Sequence, residues 1–411
     1  MSSAVLSPPV SAALAPADPT AALRGLRERF AAAAPGLDRD GRFPHAHFAL
    51  LHEAGLVAYA APAPHGAHAS LAQCRHVIGT LAYAEPATAL VLAMTYLQHR
   101  LLSRAGSRWP RAVQQRVLAS AARDGALINS LRVEPELGSP ARGGLPATVA
   151  RRHADGWSLT GRKIYATGIP ALRWLSVWAR TDEPEPRTGI FLVERPAAGL
   201  PGLQVVENWN HMGLRASGSH EVVLQDVAIP AEHAVDVRAP AEWAPQRADA
   251  DERAGHADQQ AWMTVLLGTL YDAVARAAYD WLLDFLSHRV PGSLGAPLST
   301  LPRMQEGVGA IAALLHANQS LLDHAAARID AGDVPAPADS GLLKLNVTAR
   351  AIEAVERALR LTGNPGLSRD NPLERHYRDV LCSRVHTPQD DAILLAAGQA
   401  AFARPAARSA A

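Results

Sequence analysis

The chain has 411 residues, 48% of them hydrophobic and 19% charged, enough apolar content for more than one sizeable core. Forty basic residues against 39 acidic ones leave a formal net charge of +1, which excludes a global electrostatic pull toward nucleic acid or anionic lipid. Two cysteines, Cys74 and Cys382, exclude a disulfide framework, and the longest apolar stretch, around Ala87 to Leu97, is too short to span a bilayer, so a cytoplasmic enzyme without nucleic-acid or membrane partners is expected.

Residues 1–17 are rich in Ala, Ser and Pro and read as a disordered tail. From Asp18 to about Asp124 the apolar positions, beginning with Leu23, Leu26 and Phe30, recur with a helical period. Phe43-Pro44 and Pro110 read as helix entries, Gly55 and Gly106 as exits. The texture changes after Gly125. Short β-type runs start at Trp157, Leu172, Gly189 and His220, separated by Gly, Pro and Asp turn signals. Their spacing, with no helical stretch between them, predicts an antiparallel barrel or sandwich. Helical periodicity returns near Ala250, predicting long helices over Trp262–Arg289, Leu301–Ile329 and Ser340–Leu361 and a shorter pair over Leu373–Ser383 and Asp390–Phe402. The fold class is α+β in three units: a helical domain over 18–125, a β domain over 126–240 and a helical bundle over 241–411.

No Gly-x-Gly-x-x-Gly after a strand, Walker loop or Cys-x-x-Cys pair is present, which weighs against a nicotinamide or nucleotide-hydrolysis site. His45, His47, His65 and His68 lie close in sequence, but no acidic or cysteine partner completes a metal set. The informative blocks are Val133-Glu-Pro-Glu-Leu-Gly-Ser139, Trp157-Ser-Leu-Thr-Gly-Arg-Lys-Ile-Tyr-Ala-Thr-Gly168, Met212-Gly-Leu-Arg-Ala-Ser-Gly-Ser219, Val227-Ala-Ile-Pro230, Thr362-Gly-Asn-Pro-Gly366 and Pro372-Leu-Glu-Arg-His-Tyr-Arg-Asp379. In this order and spacing they resemble the acyl-CoA dehydrogenase superfamily over about residues 20–405. That resemblance implies an N-terminal helical domain, a central β domain and a C-terminal four-helix bundle, assembled as a homotetramer around FAD or FMN.

The resemblance also implies site residues. Val133 to Ser139 match the loop that borders flavin and substrate, with Val133 in place of a threonine, so only backbone contacts survive at that position. Tyr165, Ala166 and Thr167 match the segment against the flavin ring, with Thr167 bonding near N5. A hydroxyl there can donate or accept as the ring changes protonation. The bland reading of Tyr165 is a strand residue packing a core, and that of Lys163 a solvated strand residue. Arg289 matches the arginine with which a neighbouring subunit grips the adenosine end of the cofactor, and Gln305 matches the family's glutamine at the start of the next helix. Gly363, Asn364 and Gly366 match a pyrophosphate loop with one glycine replaced.

A dehydrogenase of this family needs a carboxylate base over the substrate. Register puts Thr387 at the usual position of that glutamate, and Gln260 marks the alternative location, so neither supplies an acid. Asp390 and Asp391 lie nearby but read as the first turn of the last helix. His386, in the turn that replaces the glutamate, resembles the flavin-dependent monooxygenase and sulfur-acquisition branch, in which reduced flavin meets O₂ and one oxygen atom passes to a substrate heteroatom. His99, in Tyr96-Leu-Gln-His99, is a second catalytic candidate by the same resemblance, against the plain reading of a helix-surface histidine. The expected function is therefore a monooxygenase-like flavin oxidoreductase acting on a small organic substrate, organosulfur compounds among the candidates, with flavin reduced by a separate reductase. The alternative is an acyl-CoA dehydrogenase with a displaced base, Asp390 or Asp391. A third reading, a DNA-associated flavoprotein, meets the balanced charge as an objection.

Overall fold

The computed structural model describes residues 18–104, 106–137, 144–244 and 247–403. The first unit is five helices: α1 (Thr20–Asp40), α2 (His45–Glu53), α3 (Leu71–Ala84), α4 (Pro86–Ser103) and α5 (Arg111–Asp124). Local sequence sets their ends. The Ser70 hydroxyl accepts from the Gln73 N–H while the Gln73 side chain accepts from the Ser70 N–H, a reciprocal cap that opens α3. The Glu85 carboxylate accepts from the Ala87 and Thr88 N–H groups, and Pro86 fills the first-turn position where no donor is needed.

The β domain is a twisted eight-stranded sheet of β1 (Leu127–Leu131), β2 (Val149–His153), β3 (Gly156–Lys163), β4 (Leu172–Thr181), β5 (Thr188–Glu194), β6 (Leu203–Val206), β7 (Glu221–Pro230) and β8 (Ala234–Arg238). Its order is β6-β7-β3-β2-β4-β5-β8, with β1 also on β4. The sheet is mixed rather than purely antiparallel. Both β1 and β2 run parallel to β4, which pairs with β1 along Leu172–Val177 and with β2 at Arg180 and Thr181. Alternation of apolar residues reports that a strand is half buried and says nothing of its direction. Strand β1 is tied to α4, where the Thr95 hydroxyl donates to the Ile128 carbonyl at 3.2 Å.

The last unit comprises α6 (Ala250–His288), α7 (Pro302–Asp330), α8 (Pro337–Thr362), the short α9 (Asn364–Leu367), α10 (Leu373–Leu381) and α11 (Asp390–Ala403). Helix α6 begins well before Trp262. Asp249 caps it by accepting from the Glu252 N–H at 2.8 Å. The added turns are held by ion pairs, Glu252 with Arg108 (2.9 Å) and Arg238 (2.7 Å) and Asp258 with Arg100 (2.9 Å), which an apolar-periodicity reading does not detect. Helix α6 packs against α8, α7, α3 and α4, so one hydrophobic core runs from the first helical unit through the sheet into the bundle. Among the described residues, no helix is long and apolar enough to cross a membrane.

Candidate active site

Three chain segments meet beside the open end of β3. The Ile164 N–H donates to the Val133 carbonyl (3.0 Å), the Ala166 N–H to the His220 carbonyl (3.1 Å) and the Gly168 N–H to the Ser217 carbonyl (2.9 Å). The Thr167 and Ser219 hydroxyls lie 2.9 Å apart, and Ser219 continues to Ser217 at 2.8 Å. Asn129 of β1 donates to the Thr167 carbonyl at 3.0 Å, fixing that residue from below. Val133, Tyr165, Ala166 and Thr167 are thereby brought together; Ala166 is fully buried, leaving it no side-chain role beyond packing. Ser139 lies outside the described residues.

Tyr165 is not a core residue. Its φ of +58° places it in the left-handed region, which costs an ordinary residue about 1–2 kcal/mol, and the side chain is 53% exposed. The backbone twist lifts the ring out of the sheet. There its edge meets Trp209 and His211, whose rings stack on each other at 3.7 Å. A strained backbone that displays an aromatic ring is the pattern of a binding site.

Lys163 is not solvated. It is fully buried and donates to the Glu134 carboxylate and the Trp178 carbonyl, at 2.6 and 2.5 Å. Glu134, next to Val133, also accepts from the Ala147 N–H, the Thr148 N–H and the Thr148 hydroxyl. Against the cost of its burial, the lysine and these donors hold the Glu134 carboxyl below its ordinary range, while burial pushes the Lys163 amine down to about 8. The side chain points inward because β3 has buried neighbours on that face, and only a carboxylate opposite makes an amine tolerable there.

Helix α10 is tied to the same region. Arg378 binds Asp38 through two hydrogen bonds (2.9 and 2.6 Å), reaches Glu374, and donates to the Met212 carbonyl at 2.6 Å. Asp379 accepts from the Leu214 N–H at 2.7 Å, and burial pushes its carboxyl up to about 7. The contact is close enough that a β-carbon on Gly213 would lie 2.3 Å from the Arg378 carbonyl oxygen. A continuous hydrogen-bonded path thus runs from α10 through residues 212–220 to Thr167.

The turn after α10 carries His386. Its Nδ1 is hydrogen-bonded to the Tyr271 hydroxyl of α6, and its carbonyl, like that of Pro388, accepts from the Lys344 amine of α8 at 2.8 Å. Lys344 is itself fully buried and lies 3.8 Å from Asp390. Burial lowers the His386 imidazole to about 4, and the Lys344 cation acts in the same direction. Thr387 is exposed, and the Gln260 amide is committed to the Pro337 carbonyl at 2.7 Å. His99 is no surface histidine. It lies fully buried on the Thr95 face of α4, neither ring nitrogen has a hydrogen-bond partner among the described residues, and burial lowers it to about 4.

The other predicted contacts belong wholly to the helical bundle. Arg289 caps the exposed end of α6, and its carbonyl accepts from the Leu298 N–H, while Gln305 at the start of α7 donates to the Ser299 carbonyl at 3.0 Å. Gly363 ends α8 at φ +63°, with nothing within 4 Å of where a β-carbon would stand. Gly366 is required for another reason: a β-carbon there would strike the Thr362 hydroxyl at 2.1 Å. Asn364 is exposed at the start of α9. Among the described residues, no group of three or more His, Cys, Asp and Glu side chains could hold a metal ion. His47 stacks on Phe30 at 3.7 Å and hydrogen-bonds Thr88.

Sequence reasoning missed Asn129, Trp209, Tyr271 and Lys344, and placed Ser219 in an informative block without a role. Only Lys344 carried a signal, as one of two lysines among forty basic residues.

Residues 133–227 match the sequence profile described as "Acyl-CoA dehydrogenase, middle domain", and residues 272–390 that described as "Acyl-CoA dehydrogenase, C-terminal domain". The chain is 32% identical over 361 residues to the putative acyl-CoA dehydrogenase YdbM of Bacillus subtilis, covering 87% of this chain and 89% of that one. It is 28% identical over 408 residues to the L-evernosamine nitrososynthase of a Micromonospora species, covering 92% and 88%. Among solved structures it resembles KijD3 in complex with FMN and a dTDP-linked amino keto sugar, with 26% identity, a TM-score of 0.76 and coverage of 95% and 96%. The chain therefore belongs to the acyl-CoA dehydrogenase superfamily and is an enzyme of the flavin-dependent oxidoreductase class.

Proposed function

We propose that this enzyme is a flavin-dependent monooxygenase that transfers one oxygen atom of O₂ to a heteroatom of a small organic substrate. The observation that carries the reading is the pair of expected base positions. Thr387 is a hydroxyl and Gln260 an amide already bonded to Pro337, while the turn between α10 and α11 delivers an imidazole held by Tyr271. A threonine hydroxyl cannot remove a proton near neutral pH. The nitrososynthase and KijD3 likenesses favour a nitrogen-bearing substrate over an organosulfur one.

The residues present fit a flavin. Tyr165 displays an aromatic ring at strained backbone, the Thr167 hydroxyl lies two residues on in the turn after β3, bonded to Ser219, and His99 is a buried imidazole whose two nitrogens have no partner among the described residues. On the bundle, Gly363 leaves open space at positive φ where a phosphate-bearing chain could approach, and the Arg289 guanidinium has no acid partner among the described residues. FMN and FAD both suit this set. A bound reduced flavin would supply the electrons that activate dioxygen. Tyr165 and Thr167 would be the residues that hold its ring, and His386 and His99 the imidazoles that would serve the oxygen chemistry.

A second reading is an acyl-CoA dehydrogenase whose base is Asp390, favoured by YdbM and by the Asp390 Oδ1 atom, which is buried without a hydrogen bond and faces Lys344 at 3.8 Å. The two separate in one experiment. The purified protein is loaded with FAD or FMN and mixed anaerobically with butyryl-CoA; in parallel it is supplied with a flavin reductase, NADH, O₂ and a panel of amino sugars and thioethers. Oxygenated product without anaerobic flavin bleaching supports the monooxygenase; bleaching without a reductase overturns it. His386→Ala is expected to cut product formation by about 10²–10³-fold.

A further inference from the structure

The Tyr271–His386 contact fixes which nitrogen of the imidazole carries the proton. Tyr271 is fully buried in α6, and the only partner of its hydroxyl among the described residues is His386 Nδ1. A hydroxyl has one proton to place. If Nδ1 carried a hydrogen and donated to the tyrosine oxygen, the tyrosine hydrogen would be left buried without an acceptor, a cost of about 1–3 kcal/mol. If Nδ1 is bare, the tyrosine donates to it and every polar atom of the contact is satisfied. The hydrogen of the neutral ring then sits on Nε2, at the opposite edge, which no described side chain or backbone group reaches.

The groups around the ring agree. From α8, the Lys344 amine grips the carbonyls of His386 and Pro388, fixing the backbone from which the ring reaches Tyr271, and its positive charge opposes a second one on the imidazole. From α11, Asp390 lies beside that amine at 3.8 Å and offsets part of its charge. From the end of α10, Asp379 and Cys382 act on the tyrosine. Together with burial they keep it far above its ordinary range, so it stays a protonated donor.

We infer that Tyr271 is a positioning residue that locks His386 as a neutral Nε2–H imidazole, so that His386 serves the reaction as a fixed hydrogen-bond donor and not as a proton shuttle. This rests on the monooxygenase reading only for what the donor faces; the tautomer is a property of the resting protein. A neutral donor stabilises negative charge developing on oxygen without itself having to titrate, and its contribution is independent of pH wherever the ring stays neutral.

The test uses the full chain labelled with ¹⁵N-histidine, with His386 assigned from the signal lost in His386→Gln. The expected result is a bare, pyridine-type Nδ1 and a protonated, pyrrole-type Nε2, unchanged from pH 8 to pH 5. In Tyr271→Phe, the ring should lose its single tautomer and its titration should move up by one pH unit or more, because the donor that favoured the neutral form is gone. A pyrrole-type Nδ1 in the parent, or a doubly protonated ring at pH 6–7, overturns the inference whether or not Tyr271→Phe folds. A second readout needs no substrate: stopped-flow oxidation of protein-bound reduced FMN by O₂. The amide N–H of His386→Gln occupies the place of Nε2–H, so this variant should stay within about tenfold of the parent, while His386→Ala loses about 10²-fold. Equal losses in both variants overturn the donor role. Failure of the monooxygenase reading shows instead as absent product with the tautomer intact.

Discussion

Replacing Lys163 with methionine should be among the most destabilising single changes in the β domain. In the native protein the Lys163 amine and the Glu134 carboxylate are 0% and 1% exposed and 2.6 Å apart. Methionine fills similar volume but leaves the carboxylate with three neutral donors, from Ala147 and Thr148, and no counter-charge. Breaking one partner of a buried pair costs about 3–5 kcal/mol, because the survivor cannot return to water. Glu134→Gln should cost a similar amount, stranding an ammonium whose remaining strong contact is the Trp178 carbonyl. The double variant strands no charge. Its loss should fall short of the sum of the single losses by at least about 2 kcal/mol, the scale of coupling between contacting groups. Urea unfolding of the four proteins, followed by tryptophan fluorescence, measures this directly. Losses that add within about 0.5 kcal/mol would refute the claim that the pair is coupled. Flavin affinity in the same series gives an independent check, since Glu134 is the neighbour of Val133 in the proposed cofactor loop.

Thr167→Val keeps a β-branched side chain of similar volume but removes the hydroxyl facing Ser219; flavin binding measured by fluorescence titration should weaken by about 1–2 kcal/mol, and unchanged affinity removes Thr167 from the site. Acid should unfold the protein through its buried and half-buried imidazoles: His47, His99, His376 and the half-buried His386 are lowered by desolvation to about 4, 4, 3 and 4, below the ordinary 6.5. The unfolded chain takes up those protons first, so stability is full above pH 6.5 and is lost as pH falls through 4, by at most about 1.4 kcal/mol per pH unit for each histidine. Asp379, raised to about 7, acts oppositely, stabilising at low pH and losing its contribution as pH rises through 7, so Asp379→Asn should steepen the acid side of a denaturation-midpoint profile. Light scattering should report a homotetramer, the arrangement in which Arg289 and the Gly363 loop serve cofactors of different protomers; a flavin-retaining monomer contradicts it.

Local chemistry made much of the architecture legible. Pro44 and Pro110 do stand at helix starts, and the helices after Pro302, Leu373 and Asp390 lie within a few residues of their periodic stretches, because each buries a stripe that repeats with the helix. What was not legible depends on partners distant in sequence. Lys163 reads as a solvated residue until Glu134, 29 positions earlier, is placed beside it. The first turns of α6 are polar and become a helix through Arg100, Arg108 and Arg238. Tyr165 sits at the end of a β-type run, and nothing in that run announces a positive φ. His386 was found by the carboxylate it replaces, yet Tyr271 and Lys344, which fix its ring and its backbone, lie 115 and 42 residues away. Contacts of that range carry no sequence period.

The burial of both lysines has a consequence for covalent chemistry at the surface. Lys163 and Lys344 are the only lysines in 411 residues, and neither side chain reaches solvent. In the folded protein acylating reagents, aldehydes and lysine-directed modifying enzymes therefore meet no ε-amine. Positive side-chain charge at the surface is carried by guanidinium groups, which such reagents leave untouched. Acylation of Lys163 thus requires the β domain to open, and acylation of Lys344 requires the His386 turn to detach from α8. Peptide mapping after timed exposure to an acetylating reagent would read these two events separately, two covalent clocks for opening on either side of the candidate site.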